Sequence, residues 1–174
     1  MDAYKTSIAF CLDMSDDMKH IGLLAACVLP DERVRVEVVR VWKSTIAMRA
    51  ELGPLVDRVK PRVMGWLSRG PSAALSPELK KLRKSRALSP QEVTQAVQGM
   101  SELISAGRLS HNGDNLLTSQ LLTAEPRRSA DGSFTLARPE GLYVELVFAM
   151  SGAVWLARQL PKPVKLRVVT SEGA

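Results

Sequence analysis

Apolar and polar positions divide the chain into runs of two periods. From Lys5 the residues alternate weakly and then run apolar through Ile8, Ala9, Phe10, Cys11 and Leu12 to the acid Asp13, the pattern of a strand covered on both faces. A polar turn from Met14 to Lys19 leads to a second apolar run, Ile21 to Leu29, closed by Pro30. Two such runs joined by a short polar turn read as a hairpin. The third run, Arg33 to Trp42, alternates until Val38 and Val39 stand side by side, which requires a bulge or a change of buried face. Three consecutive antiparallel strands are therefore predicted to open the chain.

The period then changes. Ser44 is a candidate N-cap, and Ile46, Met48, Leu52, Leu55, Val56 and Val59 follow at close to helical spacing; Gly53-Pro54 predicts a kink there. Pro61 to Leu67 is an apolar run of strand length, ended by the linker Ser68-Arg-Gly-Pro-Ser72. A strand, a helix and a strand in that order place the fourth strand parallel to the first. Pro77 to Leu88 reads as a short helix and a polar edge strand. Ser89-Pro90-Gln91-Glu92 forms a capping box that opens a helix to about Ala106 with Gly107 as its C-cap, since the Ser and Glu side chains satisfy each other's backbone donors and Pro suits the first helical position. Asn115 to Ala124 is a further helix, Arg127 to Arg138 with Asp131-Gly132 a hairpin, and Gly141 to Leu160 a long apolar helix stopped by Pro161 and Pro163. We expect one domain over 1–160 and a tail over 161–174.

Composition narrows the class. The chain has 174 residues, 45% of them hydrophobic and 24% charged, which fits one globular domain and excludes disorder or a disulfide scaffold. The apolar run Ile21 to Leu29 is far short of the roughly 20 residues that cross a bilayer. Met1-Asp2 is not a basic signal-peptide start, so the expectation is a cytoplasmic protein with no membrane partner. Cys11 and Cys27 lack His or Cys neighbours at ligand spacing and read as reduced core thiols. Trp42, Trp66 and Trp155 each lie on an inward-looking run, a pattern of core packing rather than base stacking.

The net charge of +6 is unevenly spread: Arg58, Lys60, Arg62, Arg69, Lys80, Lys81, Arg83, Lys84 and Arg86 face the single acid Glu78 in their segment. Such an excess favours polyanions through phosphate contacts and counterion release; the alternative is a solvated face that aids solubility. Arg62, Arg69, Lys80, Lys81, Arg83, Lys84 and Arg86 are the candidate DNA-binding residues.

A three-stranded meander followed by a helix, a parallel strand and further helices is the element order of the ribonuclease H-like fold, an α/β fold with a mixed sheet. The stretch Ala106-Gly-Arg-Leu-Ser-His111-Asn-Gly-Asp114-Asn-Leu-Leu-Thr resembles the helix, "GRL-x-H-x-G" turn and helix that precede the β-hairpin and terminal helix in the nuclease domain of the large terminase subunit of tailed bacteriophages. Ile8-Ala-Phe-Cys-Leu-Asp13-Met-Ser-Asp16 resembles that domain's first catalytic strand, and Arg69-Gly-Pro71 its linker after the fourth strand. The resemblance implies a domain that acts on double-stranded DNA during phage DNA packaging in the bacterial host, using Mg²⁺ or Mn²⁺ held between carboxylates to activate water and stabilise the leaving oxygen. No G-x-x-x-x-G-K-[ST] loop occurs in the sequence; one reading is a stand-alone nuclease half, for which the resemblance implies a separate terminase ATPase chain or a portal as partner.

Carried over by position, the acidic site is incomplete. Asp13 falls where the family's first metal-binding Asp stands. The second acid belongs two positions before the Arg-Gly-Pro linker, where this chain has Leu67, and the third at the start of the final helix, where alignment on Leu146-Val147 puts Leu142. A lone carboxylate cannot hold two hard cations, which points to a catalytically degenerate domain, a pseudoenzyme. Nearby acids offer replacements: Asp16 and Asp17 after the first strand, Glu140 and Glu145 around the final helix. A cutting enzyme would use Asp13 and Glu145 as metal ligands with Asp17 completing the catalytic set. Glu145 has the alternative of a salt bridge to an Arg or a solvent-facing strip. For His111 the family pattern implies a structural brace between helices. A non-enzymatic phage or prophage module for DNA binding or protein docking is the alternative to a nuclease.

Overall fold

The computed structural model describes residues 7–161 other than 129, 131 and 133; the expected start of the first strand at Lys5 and the tail from Val164 lie outside the described residues. Strands β1 (Ala9–Met14), β2 (Ile21–Val28) and β3 (Val34–Trp42) form the antiparallel meander. Helix α1 (Thr45–Val59) leads to β4 (Val63–Leu67), which pairs parallel to β1 from Ala9↔Val63 to Leu12↔Trp66. A 3₁₀ turn (Pro71–Leu75) and the one-turn helix α2 (Ser76–Leu79) precede β5 (Ser85–Leu88). Then come α3 (Pro90–Ser105), β6 (Leu109–His111), α4 (Asn115–Thr123), β7 (Pro126–Arg128), β8 (Phe134–Leu136) and α5 (Glu145–Gln159). The main sheet has six strands in the order β5-β4-β1-β2-β3-β6, and β7 with β8 makes a separate hairpin. This is the mixed-sheet, ribonuclease H-like arrangement.

Strand alternation sends successive side chains to opposite faces, and each face has its own core. Ala9 and Cys11 join Leu24, Val34, Val36, Leu103, Leu117 and the length of α5, while Phe10, Leu12 and Met14 join Ile21, Leu23, Trp42 and Met48, Leu52 and Val56 of α1. The Val38-Val39 phase break is a bulge: Leu23 pairs with Arg40 and Leu24 with Val38, so Val38 packs on the α5 side and Val39 on the α1 side.

The caps behave as their chemistry requires. Ser44 Oγ accepts from Ala47 N at 3.2 Å. The Ser89 capping box is closed in both directions, with Ser89 N donating to Glu92 Oε2 at 2.8 Å and Glu92 N to Ser89 Oγ at 3.3 Å. Pro54 does not end α1, which continues to Val59; the residue is exposed, so water meets the carbonyl left without a donor. Two expectations are corrected. The residues read as a turn before α4 include β6, which adds to β3 in parallel. The final helix starts at Glu145 rather than Gly141, because Gly141 has a left-handed φ of 73° and Leu142 N bonds back to Pro139 O at 3.2 Å, a turn that cannot continue into a helix.

Helix α5 has twelve of its fifteen residues buried and lies against β1, β2 and β4. Small residues set that approach: a Cβ on Gly152 would fall 2.5 Å from Cys11 Sγ, and one on Gly65 would fall 2.3 Å from Leu156 Cδ1. Gly152→Ala should therefore cost roughly 1–3 kcal/mol by overpacking. In a Cys11→Ala background the clashing sulfur is gone, and the same change should cost at least about 1 kcal/mol less. Urea unfolding of the four proteins checks this; equal costs in both backgrounds would show that α5 is not seated on Cys11.

Candidate active site

Asp13 is the penultimate residue of β1 and has no exposed surface. Alternation places its side chain on the Cys11 side of the sheet, the side that α5 covers. Its Oδ1 accepts from Ser72 Oγ at 2.8 Å, and Ser72, on the 3₁₀ turn after β4, also reaches Leu67 O at 3.3 Å. Its Oδ2 forms a short ion pair with Arg138, which follows β8. Arg138 Nη1 in turn donates to Met14 O at 3.2 Å, and its guanidinium lies 4.1 Å from the centroid of the Phe148 ring. Burial pushes the Asp13 carboxyl above the usual carboxylate range, while the Arg138 charge and the hydrogen bonds from Arg138 and Ser72 pull it back.

Glu145, the first residue of α5, is also fully buried. Gly22 pairs with Asp13 across the ladder, and a Cβ there would lie 3.7 Å from Glu145 Cγ, so the two acids sit on one face at one end of neighbouring strands. Neither expected alternative for Glu145 holds, since among the described residues it is neither salt-bridged nor solvent-facing. Gln120 of α4 is its partner: Nε2 donates to Glu145 Oε1 at 2.9 Å, and Gln120 Oε1 accepts from Leu146 N at 2.8 Å. Glu145 Oε2 has no hydrogen-bond partner among the described residues.

The other acids are not gathered in. Asp17 is held by its own turn, accepting from Ser15 Oγ at 2.6 Å and Lys19 N at 3.0 Å, with Tyr143 donating to its other oxygen at 3.1 Å. These bonds, led by that from Ser15, bring its pKa down to about 2. Tyr143 also packs on His20, ring centroids 3.9 Å apart. Asp16 and Glu140 are exposed. Leu67 is buried at the end of β4, as a second-acid position should be, but supplies only a methyl-tipped side chain. Leu142 is half exposed in the turn before α5 and is not a helix-start residue; the acid at that helix start is Glu145. Among the described residues no three His, Cys, Asp or Glu side chains are grouped so as to hold a metal ion. His111 Nδ1 accepts from Gly113 N at 3.2 Å across its turn.

The basic segment is divided. Arg69 is exposed at the Asp13 end and lines an open cleft of about 220 Å³ with Leu67, Gly70, Val93, Arg138 and Phe148. Arg62, Arg83 and Lys84 are exposed at the opposite end, where β4 and β5 begin. Lys80 and Lys81 are exposed just after α2, and Arg86 is tied to Glu92 at 2.8 Å. Arg138, Ser72 and Gln120 escaped the sequence reading. Their partners are 125, 59 and 25 positions away, and only the closed fold pairs them.

The strand order and the helices on both faces define a ribonuclease H-like fold. Solved structures make the class more particular. The HK97 bacteriophage large terminase matches with a TM-score of 0.68 at 14% identity, over 85% of this chain and 39% of that one, so the chain spans well under half of it. The large terminase nuclease of thermophilic phage G20c matches with a TM-score of 0.62 at 12% identity, over 84% of this chain and 81% of that one. The large terminase subunit fragment gp2c of bacteriophage sf6, solved with calcium, matches with a TM-score of 0.58 at 13% identity, over 91% and 90% of the two chains. No protein-family model and no curated protein matches the chain. The chain thus has the fold of the terminase nuclease domain.

Removing the counter-charge should be costly. Arg138→Met leaves Asp13 buried and unpaired and should destabilise the protein by about 3–5 kcal/mol, with Asp13→Asn/Arg138→Met costing less than the sum of the single changes. Without Arg138 the Asp13 pKa rises further in the folded state, so the folded protein holds the proton to higher pH than the unfolded chain. Stability of the variant then falls as pH rises above the unfolded carboxylate value, and its deficit should shrink as pH is lowered towards about 4. Denaturant unfolding across pH checks both; a deficit independent of pH would refute the pairing.

Proposed function

We propose that this chain is a nuclease-fold domain of a phage DNA-packaging apparatus that binds double-stranded DNA without cutting it. One observation carries the reading: the acid at the end of β1, where the resemblance expects a metal ligand, has both oxygens engaged by protein, one by Ser72 and one by Arg138. The surroundings do not fit a two-metal site. Leu67 offers no oxygen ligand, Asp17 is spent on its turn, and Glu145, with Oε1 taken by Gln120, has only its buried Oε2 without a partner among the described residues, a single ligand atom. Hard divalent cations require several oxygen ligands. A divalent ion about 4 Å from a guanidinium also meets repulsion on the order of 8 kcal/mol at an effective dielectric of 20. Any separate ATPase chain or portal would be a partner in the same assembly, bound by a domain whose remaining role is docking on DNA.

The purified chain should show no detectable cleavage of plasmid DNA with Mn²⁺ or Mg²⁺, and Asp13→Ala and Asp13→Asn should leave that result unchanged. Its melting temperature should not rise on adding Mn²⁺, because among the described residues no group of acids is arranged to bind the ion in the folded state. Robust cleavage abolished by Asp13→Asn would overturn the reading and make Asp17, Glu140 and Glu145 the residues to mutate next.

A further inference from the structure

The two stretches of basic sequence on either side of β4 meet at one edge of the fold. Lys60 follows α1, Arg62 precedes β4, and Arg83 and Lys84 precede β5, the terminal strand of the sheet. Lys60, Arg83 and Lys84 line one open cleft of about 330 Å³ with Asp57, Val56 and Pro61. The backbone fixes two of these cations: Lys60 and Lys84 both have φ near 55°, Lys60 N donates to Val56 O at 2.8 Å, and Lys84 O accepts from Met64 N at 3.0 Å. Glu78, the acid of the basic stretch in sequence, is taken by a bidentate contact to Arg49 at 2.7 and 2.8 Å. None of Lys60, Arg62, Arg83 and Lys84 has an ion-pair partner among the described residues.

From this juxtaposition we infer that the β4–β5 edge, built from Lys60, Arg62, Arg83 and Lys84, is a docking surface for the phosphate backbone of duplex DNA, remote from the Asp13 end of the same strands. The inference rests on the DNA-binding reading above and locates it. Arg62 and Asp13 stand five residues apart in the common register of β1 and β4, about 16 Å along the sheet, so a duplex held by this edge is not presented to Asp13. Unpaired cations on a rigid edge suit counterion release from a polyanion. The cleft has no aromatic ring for stacking unpaired bases. The exposed large apolar residues, such as Ile46, Leu122 and Tyr143, lie elsewhere, so the edge lacks the apolar anchors of a membrane-binding surface.

The test is fluorescence-anisotropy titration of a labelled DNA duplex of arbitrary sequence over a salt series, with the full chain and three variants checked by thermal melting. Arg62→Glu/Arg83→Glu/Lys84→Glu should weaken binding at low salt at least tenfold and reduce the log–log salt slope by about 0.9 for each phosphate that the variant no longer neutralises. Asp57→Asn, an exposed change that removes the one acid of the cleft, should tighten binding and supports the location even if the triple variant fails to fold. Arg69→Glu tests the Asp13 end and should lose less affinity than the triple variant. Affinity untouched by the edge variants, a greater loss from Arg69→Glu, or tighter binding to single strands or phosphatidylserine vesicles than to duplex would each overturn the inference. The non-cutting reading would stand in those cases, since it falls only on metal-dependent cleavage.

Discussion

A carboxylate with no exposed surface has to be neutralised where it lies, and in this fold that carboxylate is Asp13. The charge sits at the end of a central strand, between an apolar helix and the connections that leave β4 and β8. Desolvation alone would cost several kcal/mol. Two elements close over it: the 3₁₀ turn after β4 brings Ser72, and the segment after the β7–β8 hairpin brings Arg138. Each has other ties as well, Ser72 to Leu67 O and Arg138 to Met14 O and the Phe148 ring. The ion pair and the Ser72 hydrogen bond therefore fasten these two connections onto one strand end.

Gly152 and Gly65 let α5 lie against β1 and β4, and the first turn of the helix sets Glu145 against Gly22, the ladder partner of Asp13. A gathering of several acids there would repel itself unless cations were supplied. In this chain two buried carboxylates meet one guanidinium: Asp13 is paired with Arg138, whereas Glu145 is hydrogen-bonded by the neutral amide of Gln120, and Leu67 stands at the end of β4. The scaffold keeps the fold of the terminase nuclease domain with a cation of its own set against Asp13.

Charge on the outside is arranged by the same strands. Because β1, β4 and β5 are parallel, the residues before β4 and β5 share one edge and the residues after them share the other. The cations preceding the strands form no ion pairs among the described residues; beyond the strands Arg138 is paired with Asp13 and Arg86 with Glu92, while Arg69 is exposed. Exposed cations and the buried, paired acid thus occupy opposite ends of one sheet.

Local pattern in the sequence decided much of this. The meander, the bulge at Val38-Val39, the Ser44 and Ser89 caps, the parallel fourth strand and the edge strand β5 all follow from alternation, capping chemistry and chain connectivity, which act over a few residues. So does the placing of Asp13 at a strand end and of Leu67 where the resemblance expects an acid. The short pairing of β6 escaped it because three residues carry too little pattern, and the start of α5 was misplaced because the apolar run passes through Gly141, whose left-handed backbone breaks the helix. What only the tertiary structure decided is which charge meets which. A basic residue reads the same in sequence whether it faces water or a carboxylate, and Arg138 and Asp13 are separated by 125 positions; their pairing comes from the whole fold closing, since burial of the acid makes that contact worth far more than any exposed one.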